Sequence, residues 1–465
     1  MTAASSGGRV LAVDFGLSGV RAAVVDETGH PHGFSRAASP TKVGQSDSAR
    51  ADALVEAVID TAATALARAD SHVDAICVVG LGPVPVLVDK AGNALASGWL
   101  GRTARPQGDE QAPQPRDHAL PYLRVLEERE PEILGRTDVV VDLVGYVVLR
   151  LTGRQVMDRI TAHYYTSESG LPVASPAVTE PDSVGGHLTP SAAARLGTTP
   201  GVPVLTGTID CFAGLRGGGV KSLGDAGLIL GSTLVIGVVA EQSAAPPGLD
   251  ATPHLGEGVW VGGATSSAGL SIDWIADLLG VDDGTIQRAS ELNPGETIAL
   301  PYLAGERTPF HDPLARGLIA GITLTTGPEH LYRAMVDGVA VTALDHLDHL
   351  KRAGLAPPRF RVLGGGVKNR LLLTEVCNAL GLPLDVVDIR TPAAGAASLA
   401  LSAIGFELQA PILETVNPDN ASHLAYRNLL EVSRQLWRDA GTHIRARINQ
   451  PYDPDAPHSR TSVDE

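Results

Sequence analysis

Runs of apolar residues alternate with glycine-bearing polar turns along this chain, and the spacing within the runs predicts strands and helices in a recurring order. Residues 9–26 read as two strands, VLAVDF and VRAAVVD, joined by GLSG and closed by a turn at 27–29, which makes a β-hairpin. An Ala-rich helix follows over 51–69, with Leu54, Val58 and Leu66 at helical spacing, then a buried strand at 75–79. The loop GLGPVP at 80–85 leads to a second hairpin that ends in a loop carrying Trp99 and Arg102. Residues 123–153 carry a helical pattern in which 139–151 form one apolar helix stopped at Gly153, and Thr189-Pro190 opens a short helix that ends at Gly197. The apolar run 202–205 then feeds a Gly-flanked turn that delivers Asp210 just ahead of a small-residue helix.

Beyond Val220 the pattern begins again. Strands at 227–229 and 234–239 flank Gly231-Ser232-Thr233, a Gly-Gly turn is expected within 260–269, and a helix over 270–279. A loop dense in turn formers occupies 300–317, a long helix opens with Pro328 and closes with Lys351 and Arg352, and a strand at 361–363 meets the triple glycine 364–366 before a helix at 369–380. A small-residue helix spans 391–405. The echo of the first hairpin about half a chain later predicts a duplicated α/β pair around a shared cleft.

Composition adjusts this picture in three ways. At 465 residues the chain exceeds one ordinary core, so two domains are expected. Lys and Arg total 36 against 52 Asp and Glu, and this net charge of −16 argues against nucleic acid or an anionic membrane as partner. Cys77, Cys211 and Cys377 lack disulfide or zinc spacing, as in a reducing cytosol. The polar N-terminus has no apolar signal core, and the longest apolar run, 226–240, is interrupted by Ser232 and Thr233, so a cytoplasmic protein is expected. Residues 451–465 read as a disordered tail.

The candidate chemistry rests on two carboxylates, Asp14 and Asp210, each at the end of an apolar strand close to glycine. Read alone, Asp210 is either a base or a helix cap. Read with Asp14, Arg21 and the Gly-rich hairpins, the pair suggests phosphoryl transfer: a carboxylate for a divalent cation, a fixed positive charge, and backbone N–H groups converging on an anion. His346 and His349, at i and i+3, have no third ligand in reach and read as solvated.

Together these residues resemble the FGGY carbohydrate kinases, within the wider actin, hexokinase and Hsp70-like ATPase fold. The most specific match is GLIAGITLTTGPEHLYRAMVD at 317–337; LPYLAGERTPFHDPLARG at 300–317 is similar to the xylulokinases, and GGGVKNRLL to the adenosine-binding turn. The resemblance implies two ribonuclease H-like domains with a central cleft, 1–220 for the sugar and 221–450 for the nucleotide. It implies ATP and Mg²⁺, with Asp14 toward the metal and Gly16, Ser18 and Arg21 toward phosphate. Gly231, Ser232 and Thr233 would form the second phosphate hairpin, and Gly364, Gly365, Gly366 and Asn369 the adenosine site. Asp210 would be the catalytic base, and Gly82, Pro83, Trp99 and Arg102 would face the substrate with it. The expected activity is transfer of the γ-phosphate of ATP to a hydroxyl of a ketopentose such as D-xylulose, with a homodimer as the assembly. Gluconate, ribulose, glycerol or erythritol kinases, and a catalytically weak regulatory binding protein, are the alternatives. Leu17 stands where the family carries Thr, and GWLGR lacks the family's sugar-facing Asp.

Overall fold

The computed structural model describes residues 7–16, 19–40, 47–98, 120–165, 174–241, 244–312, 314–388 and 393–448. Ser18, Trp99, Arg102 and the tail 451–465 lie outside the described residues.

Two seven-stranded sheets repeat one plan. In the first, Arg9–Gly16 pairs antiparallel with Gly19–Asp26, which pairs antiparallel with Pro31–Ala38. On its other side Arg9–Gly16 runs parallel to Ala75–Gly80, which pairs parallel with Pro203–Leu205 and Thr208–Ile209. In the second sheet Ala226–Leu230 takes the place of Arg9–Gly16. It is antiparallel to Leu234–Ala240 and parallel to Phe360–Leu363, which continues parallel to Leu384–Val387. The mixed α/β architecture expected from the repeated hairpin is therefore the one observed.

Period-two alternation decides where the chemistry sits. Leu11, Val13 and Phe15 join a core with the Asp47–Ala69 helix, whereas Val10 and Ala12 face the opposite way. Asp14 shares that second face. The core behind it draws on both halves: Cys77, Val79, Phe212 and Leu215 from the first, Trp260, Leu363 and Leu399 from the second. The Ala394–Ala403 helix, late in sequence, lies on the first sheet and against the Asp210–Gly217 helix. Its small residues allow this closeness, since a Cβ on Gly395 would stand 2.7 Å from the carbonyl carbon of Ala213. A second bridge is made by arginines of the first half. Arg159 donates to the His254 and Gly256 carbonyls, and Arg216 donates to that of Leu255 at 3.1 Å.

Three sequence expectations are corrected. Residues 139–142 are not helical: Val139–Asp142 is a strand antiparallel to Pro85–Val88, and the helix is Leu143–Thr152, begun by Asp142 whose carboxylate accepts from Val144 N–H. Gly262 and Gly263 lie inside the Val259–Ala264 strand, not in a turn. A Cβ at Gly262 would approach the Ile236 carbonyl oxygen to 2.2 Å, and one at Gly263 the Thr308 hydroxyl to 2.1 Å. His346 is fully buried rather than solvated, its Nε2 2.7 Å from Thr308 Oγ1 and its Nδ1 2.7 Å from the Thr342 carbonyl. Among the described residues no cluster of His, Cys, Asp or Glu suits a metal cage, and no helix is long and apolar enough to cross a membrane.

The long helix Pro328–Arg352 is tied to its neighbours by a buried charged group. Arg333 Nε lies 2.8 Å from Asp337 Oδ1 and Arg333 Nη2 3.1 Å from Glu375 Oε1. The Tyr426 hydroxyl reaches Asp337 at 2.6 Å and Glu375 at 2.9 Å. One guanidinium thus serves two carboxylates on two helices, and burial leaves Asp337 with a pKa pushed up to about 6 despite Arg333 beside it.

Candidate active site

Asp14 is the sixth residue of its strand, and Gly16, two positions on, is the last. The register sets Asp14 opposite Arg21 on the neighbouring strand, and Arg21 Nη1 donates to Asp14 Oδ2 at 3.2 Å. On the other side Asp14 lies opposite Val79, which in turn pairs with Thr208. Two residues further on, Asp210 opens the Asp210–Gly217 helix, so sheet pairing alone carries both carboxylates to one end of the first sheet. Asp210 Oδ2 is 4.0 Å from where a Gly16 Cβ would be, which sets the two residues side by side. Asp210 does not act as a side-chain cap, since Ile209 holds the cap position without a capping hydrogen bond.

The electrostatics follow from this placement. Burial raises the Asp210 pKa to about 7, helped by the negative charge of Asp14 and opposed by the Cys211 N–H and by Arg21. Burial also raises Asp14, with Arg21 opposing. A divalent cation next to Asp14 would relieve both carboxylates, and Mg²⁺ needs only one or two protein carboxylates when phosphates and water complete its shell. The residues present fit that ion.

Two carboxylates that the sequence reading overlooked fasten the surroundings. Asp142 Oδ1 accepts from Val84 N–H at 2.7 Å and from the Tyr165 hydroxyl at 3.0 Å, pinning the loop that carries Gly82 and Pro83. Gly82 packs close to Ile209, where a Cβ would stand 2.9 Å from Ile209 Cγ1, so the expected substrate loop adjoins the Asp210 turn. Asp158 Oδ1 accepts from the Thr208 hydroxyl at 2.8 Å and from the N–H groups of Ile160 and Thr161. A possible sequence signal for both was an Asp directly before a helix, the pattern of a cap.

In the second half Gly231 N–H donates to the Thr233 carbonyl at 3.0 Å, closing the hairpin tip. The Gly231 carbonyl accepts from Gly269 N–H, and that of Ser232 from Ala268 and Leu270 N–H, so the tip sits on the start of the Gly269–Leu279 helix. The triple-glycine turn is pressed against the same hairpin. Gly364 has φ 104°, and a Cβ on it would come within 2.3 Å of the Leu230 carbonyl oxygen; Gly365 faces open space. Asn369 caps the Arg370–Leu380 helix through Leu372 N–H and donates to the Tyr332 hydroxyl at 2.9 Å, so both ends of its amide have protein partners. The structure thus gathers Asp14, Gly16, Arg21 and Asp210 into one group, with Gly82 beside it, and Gly231 to Thr233 with Gly364 to Gly366 into another. If the turn lines the adenosine site, as the resemblance implies, Gly364→Ala should lower nucleotide affinity by about tenfold or more, because backbone strain and the Leu230 clash displace the turn. Calorimetric titration with ADP checks this, and wild-type affinity would separate the turn from the nucleotide.

Residues 226–404 match the family model described as FGGY family of carbohydrate kinases, C-terminal domain. The chain is also 30% identical over 355 residues to the xylulose kinase of Escherichia coli K12, covering 68% of this chain and 72% of that one. The chain belongs to the FGGY family of carbohydrate kinases. As an FGGY kinase it is an ATP-dependent sugar kinase. The FGGY fold extends over almost all of it. The xylulose kinase of Rhodospirillum rubrum superposes with a TM-score of 0.80 over 94% of this chain and 100% of that one, at 24% identity. The gluconate kinase of Lactobacillus acidophilus gives 0.81 over 94% of this chain and 100% of that one, at 19% identity.

Proposed function

We propose that this FGGY kinase phosphorylates a hydroxyl of a small ketopentose in the cytoplasm, with D-xylulose the first candidate. The observation that carries this reading is the meeting of Asp14, Gly16 and Asp210 at one sheet end, together with the xylulose kinase relatives. Asp210 takes the proton of the attacking sugar hydroxyl, and its raised pKa suits a base that works near neutrality. Asp14 would hold Mg²⁺ or its water shell, and the ion would offset charge on the phosphates. Arg21 keeps Asp14 in place and adds positive charge on its side of the hairpin. The two glycine-rich tips, with Gly16 on one and Gly231, Ser232 and Thr233 on the other, cradle the phosphates, and the Gly364 turn leaves room for the nucleoside. Residues 1–220 thus contribute the sugar side and 221–450 the nucleotide side, and apposition of the two keeps water from the phosphoryl group.

The experiment is a panel of ketoses, polyols and aldonates, each assayed for ADP formation with Mg²⁺ and ATP. The expected result is the highest kcat/KM with D-xylulose. A higher value with ribulose, gluconate, glycerol or erythritol would reassign the substrate. Binding of ATP and sugar with no turnover on any compound would replace the enzyme by a regulatory binding protein, a reading that Leu17 and the GWLGR sequence favour.

A further inference from the structure

Among the described residues Arg307 forms no salt bridge, although its charge is felt by the buried Glu306 beside it in sequence, and its guanidinium is tied to the second half of the site. Its Nε donates to the Thr265 carbonyl at 3.2 Å and its Nη2 to the same oxygen, which leaves Nη1 with no protein acceptor. Thr265 itself is bound to the residue that follows the second hairpin tip: its hydroxyl accepts from Leu234 N–H at 3.0 Å, and its N–H donates to the Leu234 carbonyl at 2.9 Å. The guanidinium is therefore built onto the Gly231 to Thr233 hairpin. Its charge is also felt in the first half. The charge of Arg307 acts on Cys211, next to Asp210, and on Tyr164, in each case opposing a rise in pKa that burial imposes.

The loop that carries Arg307 is held firmly. Glu306 and Asp312 exchange backbone hydrogen bonds at 2.8 Å in both directions. Glu306 Oε1 accepts from Ser266 N–H at 2.7 Å and from Arg307 N–H at 2.8 Å. Thr308 is locked to Ala264 and His346, and Tyr302, Phe310 and Trp437 pack ring against ring beneath the loop. Glu306 is 1% exposed with Oε2 unpartnered, and spends its other oxygen on backbone N–H groups rather than on the guanidinium. An arginine held through one edge, with no salt bridge and with Nη1 given no acceptor among the described residues, keeps donors for an anion from outside.

We propose that Arg307 is a catalytic residue that contacts the γ-phosphoryl group during transfer, with Glu306 and the Thr265 carbonyl as its positioning groups. This rests on the kinase reading above. In the step, the sugar oxygen forms a bond to the γ-phosphorus as the bond from phosphorus to the β–γ bridging oxygen breaks. The hydroxyl proton goes to Asp210, and the electron pair leaves with ADP. Negative charge on the equatorial oxygens lies beside the Gly231 hairpin, and Arg307, anchored to that hairpin through Thr265, offsets it.

The test compares wild type with Arg307→Met and Arg307→Lys, using calorimetric titration with Mg²⁺ and either ADP or adenylyl imidodiphosphate, a non-hydrolysable ATP analogue. Arg307→Met is expected to weaken the analogue by about tenfold while ADP stays within twofold, and Arg307→Lys to recover part of the loss. With any accepted sugar, kcat of Arg307→Met should fall by about 10²-fold. Equal losses for ADP and analogue together with a lower melting temperature would make Arg307 a loop brace and overturn the proposal, as would unchanged affinity for both. A wild type that turns over no sugar sinks the kinase reading alone, because the two titrations still decide what Arg307 touches.

Discussion

Asp210→Asn is expected to lower kcat by about 10² to 10⁴ while binding of ADP stays near wild type. The substitution preserves size and removes the site that accepts the proton. Ile209, not Asp210, holds the cap position of this helix, and Asn keeps an oxygen for the Cys211 N–H, so the melting temperature should hold. The pH profile sharpens the expectation. Wild-type kcat/KM reports the free enzyme, in which burial and the neighbouring Asp14 set the Asp210 pKa at about 7. The base must be ionised, so kcat/KM should fall as pH drops through the Asp210 pKa, which is about 7 with Asp14 uncompensated and lower with a divalent cation beside Asp14, by tenfold per unit well below it. The Asn variant should lack that limb. Turnover near wild type in Asp210→Asn would remove Asp210 from the chemistry.

The second large effect is on stability. Arg333→Met should cost about 3–5 kcal/mol, because it leaves Asp337 and Glu375 buried without their shared cation. The sign of the pH dependence follows. A buried carboxyl whose folded pKa lies above its unfolded value stabilises the fold at low pH, and this contribution is lost as pH rises through the folded pKa. Asp337 already titrates near 6 with Arg333 beside it, and without Arg333 its pKa must rise further. The deficit of Arg333→Met relative to wild type should therefore be largest above neutrality and shrink toward pH 5. Urea denaturation at several pH values measures this, and a deficit under 1 kcal/mol at pH 8 would mean that Tyr426, the Gly295 N–H on Asp337 and the Asn378 amide on Glu375 carry the cluster by themselves.

Asp14 and Asp210 were legible in the sequence because each ends an apolar run beside glycine, a place where a strand must stop and a side chain emerges. The two hairpins were legible for a similar reason: period-two apolar runs around a glycine turn admit few other structures. Asp142 was not, since VVVDLVGYVVLRL is apolar nearly throughout and periodicity cannot divide a strand from a helix in such a run. The Gly262-Gly263 pair misled because glycine marks close backbone approach as readily as it marks a turn. The chain pattern also held no hint that His346 is buried, since its environment is made by Thr308, brought over from a distant loop. Arg307 belongs to the same class: its sequence neighbours are turn formers, and its relation to Cys211 exists only once the two halves are assembled.

The Ala394–Ala403 helix has a consequence for how the protein is made. It covers Val10, Ala12, Cys77 and Val79 on the first sheet, yet it leaves the ribosome long after them. At ordinary elongation rates the interval between completion of residue 217 and of residue 403 is roughly ten to forty seconds. Through that interval an apolar sheet face waits for a cover that has not yet been synthesised.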